Sequence, residues 1–289
     1  MNIIFQINGG LGKSIISTAV CENIKKQYPD DKLIVLTAYP EVFINNPNVD
    51  RCIQMGSANY FYPDFIKDQD VKLMLQEPYL ETNHVKGTEH LIETWCNING
   101  VVCETTTPSI FLTQREIDFH SRKYQSDKPL MILQTNGGAA EQEQKYSWAI
   151  DLPVHIVENV IKTFKNDYQI LHIRREDQIG YADTTPIHDN FRSICVGLMM
   201  SQKRLLIDSF VQHAAAALNL TSTVCWIVNT PTVFGYDIHH NIQSNPVTRP
   251  YDFRHSYIQP YNIIGDPLEF PYNNEKEIFN LEDIIQSLK

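Results

Sequence analysis

The stretch from Arg204 to Val228 constrains the fold more than any other part of the chain. Arg204-Leu205-Leu206-Ile207 reads as a buried strand, and it ends in Asp208-Ser209. An alanine-rich helix, Phe210-Val211-Gln212-His213-Ala214-Ala215-Ala216-Ala217-Leu218, begins at once. A second apolar run, Thr223-Val224-Cys225-Trp226-Ile227-Val228, follows, so the unit is strand–helix–strand. Backbone N–H groups at the start of such a helix are unpaired and carry partial positive charge, which suits a phosphate. The junction at Asp208-Ser209 therefore points to a phosphorylated ligand at the carboxyl end of a sheet.

The same alternation runs through the chain. Residues 3–7, 33–37, 51–55 and 71–75 read as strands, with helices predicted over 13–27 and 88–98. A polar, proline-bearing break falls at Tyr124-Gln125-Ser126-Asp127-Lys128-Pro129. Beyond it, strands are predicted at 130–134 and 168–173, with helices at 153–165, where Pro153 suits a first turn, and at 190–200. Alternating elements of this kind argue for parallel sheets covered on both faces. The expected organisation is α/β: one domain over 1–126, a second over 127–273, and a closing amphipathic helix over 274–289. Residues 57–70, with Tyr60-Phe61-Tyr62-Pro63-Asp64-Phe65, read as an irregular aromatic segment, either a substrate-covering loop or a packed surface excursion.

Length and composition narrow the classes. At 289 residues with 43% hydrophobic side chains, the chain can bury two cores of ordinary size. No apolar run approaches the roughly 18–20 residues that span a bilayer, and Met1-Asn2-Ile3-Ile4-Phe5-Gln6-Ile7 reads as a first strand, not a signal peptide. The six cysteines are scattered without a CxxC pair, and no HExxH string occurs. The expectation is reduced thiols in a cytoplasmic protein, with no metal site and no cofactor. A net charge of -10 argues against a broad grip on a nucleic-acid backbone, which needs clustered Lys and Arg, although a local basic groove stays open.

The first strand runs into Asn8-Gly9-Gly10-Leu11-Gly12-Lys13-Ser14. A standard phosphate-binding loop would need glycine at position 7, which is Ile7. The string resembles the deviant loop of the ParA/MinD-type ATPases, whose first lysine is replaced here by Asn8. The only Walker-B-like string, Leu205-Leu206-Ile207-Asp208, lies far downstream. A glycine turn that serves only strand-to-helix packing is the plain alternative.

With both halves considered, the chain resembles the GT-B glycosyltransferases, and among them the ADP-heptose:lipopolysaccharide heptosyltransferase-like family (glycosyltransferase family 9). The likeness rests on Gly9-Gly10-Leu11-Gly12 where that family has a glycine loop opening its first helix. It rests also on Gly137-Gly138 with Lys145-Tyr146-Ser147-Trp148, on Asp208-Ser209-Phe210-Val211-Gln212-His213-Ala214-Ala215-Ala216 against the family's D-[ST]-G-x-x-H-x-A-A, and on Phe234-Gly235-Tyr236. Two positions depart. Lys13 stands where the family carries the aspartate proposed as general base, and Phe210 replaces a glycine. The loop is also similar to that of the fucosyltransferase-like GT-B enzymes.

The resemblance implies two Rossmann-like domains facing across a cleft and a transferase that needs no metal. A nucleotide-diphosphate sugar would lie in the second domain and an acceptor glycan or other hydroxyl-bearing molecule in the first. Ser209 and the following N–H groups would hold the diphosphate, Lys145 would neutralise the departing nucleotide, and Glu176, in the charged run Arg174-Arg175-Glu176-Asp177, would bind ribose hydroxyls or belong to a solvated loop. Gly9, Gly10, Gly12 and Ser14 would shape the loop over the substrate, and Lys13 would hold an anionic acceptor or the departing phosphate; as a base it would have to be neutral. Asp208 reads either as an orienter of the phosphate loop or as a helix cap. His213 reads as a donor contact or a buried histidine, and Trp148 as core or as a stacking surface. Gln212 and Asn229-Thr230-Pro231 line the same sheet end, and Glu41, Asp64 and Glu77 are the carboxylates available as acceptor base. Two other functions compete: a ParA/MinD-like ATPase, and a nucleotide-sugar-binding protein without transferase activity.

Overall fold

A computed structural model describes residues 1–137, 146–246 and 270–289. Among them lie two sheets, and every strand pairing in both is parallel. The first contains β1 (Asn2–Ile7), β2 (Lys32–Thr37), β3 (Arg51–Gln54) and β4 (Val71–Met74), in the order β3-β2-β1-β4. The second contains β5 (Leu130–Leu133), β6 (Gln169–Ile173), β7 (Thr185–Ile187), β8 (Ser201–Ile207), β9 (Thr223–Trp226) and β10 (His240–Gln243), in the order β10-β9-β8-β5-β6-β7. In both, the strand order reverses beside the first strand: between β1 and β4, and between β5 and β8. Such reversals leave crevices at the carboxyl ends of the strands, where ligands of open parallel sheets bind.

Helices follow the strands as the apolar spacing requires. They are α1 (Leu11–Gln27), α2 (Phe61–Phe65), α3 (Thr82–Lys86), α4 (Leu91–Ile98), α5 (Gln114–Ser121), α6 (Val154–Phe164), α7 (Phe191–Met200), α8 (Phe210–Ala217), α9 (Pro231–Phe234) and α10 (Leu281–Ser287). Several boundaries differ from the sequence expectation for local reasons. The helix expected over 88–98 begins at Leu91, because Glu93 accepts the His90 N–H while the His90 ring accepts from Ile92, closing a capping box. The closing helix is confined to 281–287, started by Asn280, whose side chain accepts from the Glu282 N–H; a 3₁₀ turn at Glu275–Glu277 precedes it. Within the irregular segment 57–70 lies the short α2, entered through Tyr60 in the left-handed region at φ 62°.

One apolar core joins the two sheets. It runs from Phe5, Ile15 and Trp95 through Leu130, Ile132 and Leu198 to Val211, Trp226 and Phe234. Each such side chain, fully buried, contributes about 1.5–3 kcal/mol. A second core, with Met131, Ile156, Val160, Ile207 and Ile284, covers the opposite face of the second sheet under α6 and α10. Where α1 meets α8, a Cβ on Gly12 would come 3.2 Å from His213 Cδ2 and 3.5 Å from Phe210 Cα. The two helices can approach this closely only because position 12 has no side chain.

A buried arginine ties the lobes at a second place. Arg192, near the start of α7, donates to both Glu116 carboxylate oxygens, to the Phe111 carbonyl at 2.6 Å and to the Glu41 carbonyl at 3.2 Å. The guanidinium holds the Glu116 carboxyl down at about 2.

Candidate functional site

The two strand-order reversals place the candidate residues. At the first, Asn8, Gly9 and Gly10 leave the end of β1 exposed, and Gly9 turns at φ +108°, a conformation that side chains with a Cβ rarely adopt. Lys13, two residues into α1, turns inward, with a side chain only 4% exposed. Its ammonium pairs with Glu77, which follows β4, and lies 4.5 Å from the ring centre of Tyr79 and 5.2 Å from that of Trp95. Burial lowers the Lys13 pKa, and the Glu77 carboxylate acts against that shift. The ion pair thus spans the gap between β1 and β4. Ser14 is fully buried: its hydroxyl meets Thr37 Oγ1 at 3.1 Å, across to β2, so it serves the packing of the loop and is not presented at its surface.

At the second reversal the chain is open. A cavity of about 360 Å³ lies at the ends of β5, β6 and β7, against the start of α8. Ile173, Ile187, Ile194 and Phe210 form its apolar wall; Gln134, Asn136 and Ser209 give it a polar side. Such a size and balance suit one small ligand. Ser209 is the N-cap of α8, yet its side chain makes no capping bond. Its hydroxyl instead accepts from Gln134 Nε2 at 2.9 Å. The Gln212 N–H bonds the Ser209 carbonyl at 3.2 Å, and no side chain caps the N–H groups before it, the kind of helix start that suits an anion.

Arg174 and Arg175 stand at the rim. Arg174 bonds the carbonyl of Arg175 at 3.0 Å, and Arg175 bonds Asp177 at 3.0 Å, which shapes the 174–178 turn. Gln178 closes that turn: it accepts from the Arg175 N–H and donates to the Gly137 carbonyl at 3.1 Å. Glu176 is exposed and is not one of the cavity's wall residues. Asp208 bonds Asn229, and burial pushes its carboxyl up to about 6, against the lowering effect of that bond.

Between the two reversals lies a cluster of rings contributed by both lobes. His213 Nδ1 meets the Tyr236 hydroxyl at 2.9 Å, Gln212 Nε2 donates to the Phe234 carbonyl at 2.9 Å, and His239 meets the Gln212 carbonyl at 3.0 Å. From the first lobe, His90 lies 5.5 Å from Tyr236, and His84, stacked on Tyr79, lies 5.6 Å from Phe234. Gln212 and His213 thus belong to the junction between lobes rather than to the cavity wall. Burial lowers the pKa of His84, His90 and His239 to about 4, and holds that of His213 well below the ordinary histidine range.

The remaining candidates are dispersed. Trp148 packs edge-on against Phe270 at 5.3 Å, on the α6 side of the second sheet. Gly138 and Lys145 lie outside the described residues. Glu41 offers its backbone carbonyl to Arg192, and Asp64 sits on α2. Sequence reasoning passed over Gln134 and Asp151. Asp151 accepts the N–H groups of Gly137 and Ser147, both at 2.8 Å, and so ties these two residues together. Its only signal was a carboxylate just before Pro153; that of Gln134 was a polar residue ending an apolar strand. Among the described residues no group of three or more His, Cys, Asp or Glu side chains is placed to hold a metal ion, and no helix is long and apolar enough to cross a membrane.

No family model matches the sequence, and no curated protein matches it. Solved structures do match its fold. A glycosyl transferase family 9 structure from Veillonella parvula aligns with a TM-score of 0.69 at 13% identity, over 99% of this chain and 95% of that one. The E. coli ADP-heptose LPS heptosyltransferase II aligns with a TM-score of 0.62 at 12% identity, over 100% and 98%. The E. coli heptosyltransferase WaaC with ADP aligns with a TM-score of 0.56 at 11% identity, over 85% and 94%. With its two parallel sheets joined at their carboxyl-end crevices, the chain has the fold of the GT-B glycosyltransferases.

Proposed function

We propose that this chain is a cytoplasmic glycosyltransferase that moves a sugar from a nucleotide-diphosphate sugar to a hydroxyl-bearing acceptor, without a metal ion in the transfer step. The observation that carries the reading is the cavity at the β5/β8 reversal, with the uncapped start of α8 and Ser209 at its polar side. Helix N–H groups aimed at a diphosphate stabilise the charge that grows on it as the sugar departs. Lys145 adds a cation in the role the sequence implies. Residues 127–273 form the donor side, 1–126 the acceptor side, and 274–289 close the second sheet. An ADP-linked sugar is the first donor to try, since two of the similar structures are E. coli heptosyltransferases named for ADP-heptose or solved with ADP.

A thermal-shift screen of ADP-, GDP-, UDP- and CMP-linked sugars tests the reading. A donor at 100 times its dissociation constant adds about 2.7 kcal/mol of stability. Ser209→Ala and Lys145→Ala are each expected to shrink that gain. Equal shifts in wild type and both variants count against the pocket. A second reading, donor binding without transfer, has one observation in its favour: the position of the family's aspartate holds Lys13, sequestered in its pair with Glu77. Donor binding with no release of nucleoside diphosphate over a wide acceptor panel would select it. Against the ATPase reading stands the Lys13 ammonium, which is buried in its pair with Glu77 and against the rings of Tyr79 and Trp95.

A further inference from the structure

We infer that Gln134 is a specificity residue of the cavity: its carbonyl oxygen reads a hydroxyl on the group attached to a phosphate that Ser209 and the start of α8 hold. The inference rests on the cavity being a nucleotide-sugar donor site and adds to it what the ligand must present there.

Gln134 directly follows β5, and its backbone N–H is bonded to the Leu205 carbonyl at 2.9 Å, so its position is fixed across the β5/β8 reversal. The residue is 3% exposed and lines the cavity. Its Nε2 donates to Ser209 Oγ at 2.9 Å, while its Oε1 is buried without a hydrogen-bond partner among the described residues. A buried carbonyl oxygen left unpaired costs about 1–3 kcal/mol, and native structures leave few such groups without a reason. Here the reason is the ligand.

The chemistry of the pair assigns the two contacts. Ser209 Oγ already accepts a hydrogen from Gln134 and caps nothing, so its own proton is available to donate outward. An ionised phosphate at the start of α8 accepts that proton and the helix N–H groups. The same phosphate cannot satisfy Gln134 Oε1, because both are acceptors. Oε1 requires an O–H donor beside the phosphate, and a nucleotide sugar offers one on either side: the ribose, or the sugar to be transferred. A neutral amide does this without adding charge to the site.

Isothermal titration of the full chain tests the pair, using pyrophosphate, then ADP, GDP and UDP, then their glucose conjugates. Gln134→Met is expected to weaken hydroxyl-bearing ligands by about tenfold and pyrophosphate by less than twofold. Ser209→Ala is expected to weaken all of them, pyrophosphate included. Loss on all nucleoside diphosphates identifies the ribose as the group read; loss confined to the glucose conjugates identifies the transferred sugar. If Gln134→Met weakens pyrophosphate as much as the rest, the amide is a phosphate ligand and the inference is overturned. If Gln134→Met, with a near-ultraviolet dichroism spectrum like wild type, binds every ligand unchanged, the inference falls while the donor site stands. If wild type binds none of them, the donor site falls and takes the inference with it.

Discussion

At the reversal of the first sheet, Lys13 on α1 reaches across to Glu77 after β4; at that of the second, Gln134 after β5 reaches across to Ser209 on α8. The topological positions correspond, but the chemistry does not. The first bridge is an ion pair with its ammonium buried on Tyr79 and Trp95. The second is a single neutral hydrogen bond at the wall of a cavity of about 360 Å³. The contrast shows how one strand–helix arrangement divides its labour. A charge taken out of water must be fully partnered, so the first crevice is spent on its own stability. A neutral bridge with a spare acceptor leaves the second crevice ready for a ligand.

The contrast can be broken most severely at Lys13. Lys13→Met strands the Glu77 carboxylate and is expected to cost about 3 kcal/mol, read from urea midpoints. Because Glu77 keeps partial access to water, the double variant with Glu77→Gln should recover most of that loss; no recovery would mean that the pair is not what closes the first crevice. Next comes Gly9→Ala, which forces a Cβ into φ +108° and to 3.1 Å from Lys13 Cδ, at about 1–2 kcal/mol. A cost below about 0.3 kcal/mol would show that the loop relaxes freely.

Acid sharpens the comparison at the junction between the crevices. His84, His90 and His239 titrate near 4 when folded but near the ordinary histidine value when unfolded. Between those values the unfolded chain binds more protons at these positions, so their contribution to stability falls as pH drops from about 6.5 to about 4 and is constant below. A melting temperature flat across that window would contradict the buried cluster. Asp208 has the opposite sign. Its folded carboxyl titrates at about 6, above the free value, so its ionised form destabilises the fold as pH rises through 6. Asp208→Asn should therefore raise the melting temperature at pH 8 and leave it unchanged near pH 4; a loss at pH 8 would sink that account. Smallest is Ser209→Ala in the unliganded protein. No capping bond is lost, but the buried Gln134 Nε2 loses its acceptor, so the expected cost is about 1 kcal/mol, which a urea titration resolves from the Lys13→Met effect.

The alternation of apolar runs with helical spacing was enough to read both sheets, because parallel strands buried on two faces are apolar throughout. The short strands β7 and β10 were not legible: Thr185-Pro186-Ile187 and His240–Gln243 lie at sheet edges, where burial no longer dictates composition. At the site, Asp208-Ser209 and the glycine loop were visible as junctions. What stayed hidden was the pairing across each reversal. Lys13 and Glu77 are 64 residues apart, and Gln134 and Ser209 are 75 apart, distances that carry no periodic signal. His213 could be read as a ligand contact or as core, and only the three-dimensional company of Gln212, Tyr236 and Phe234 assigns it to the junction.

The arginine at the head of α7 has a mechanical meaning. Arg192 is 6% exposed and is gripped by groups at positions 41, 111 and 116, while Ile194, two residues on, lines the cavity. Any displacement of the lobes relative to each other has to break these bonds together. The arginine therefore couples the wall of the cavity to the first half of the chain: a change that loosens positions 41, 111 or 116 is felt at Ile194 through one turn of α7.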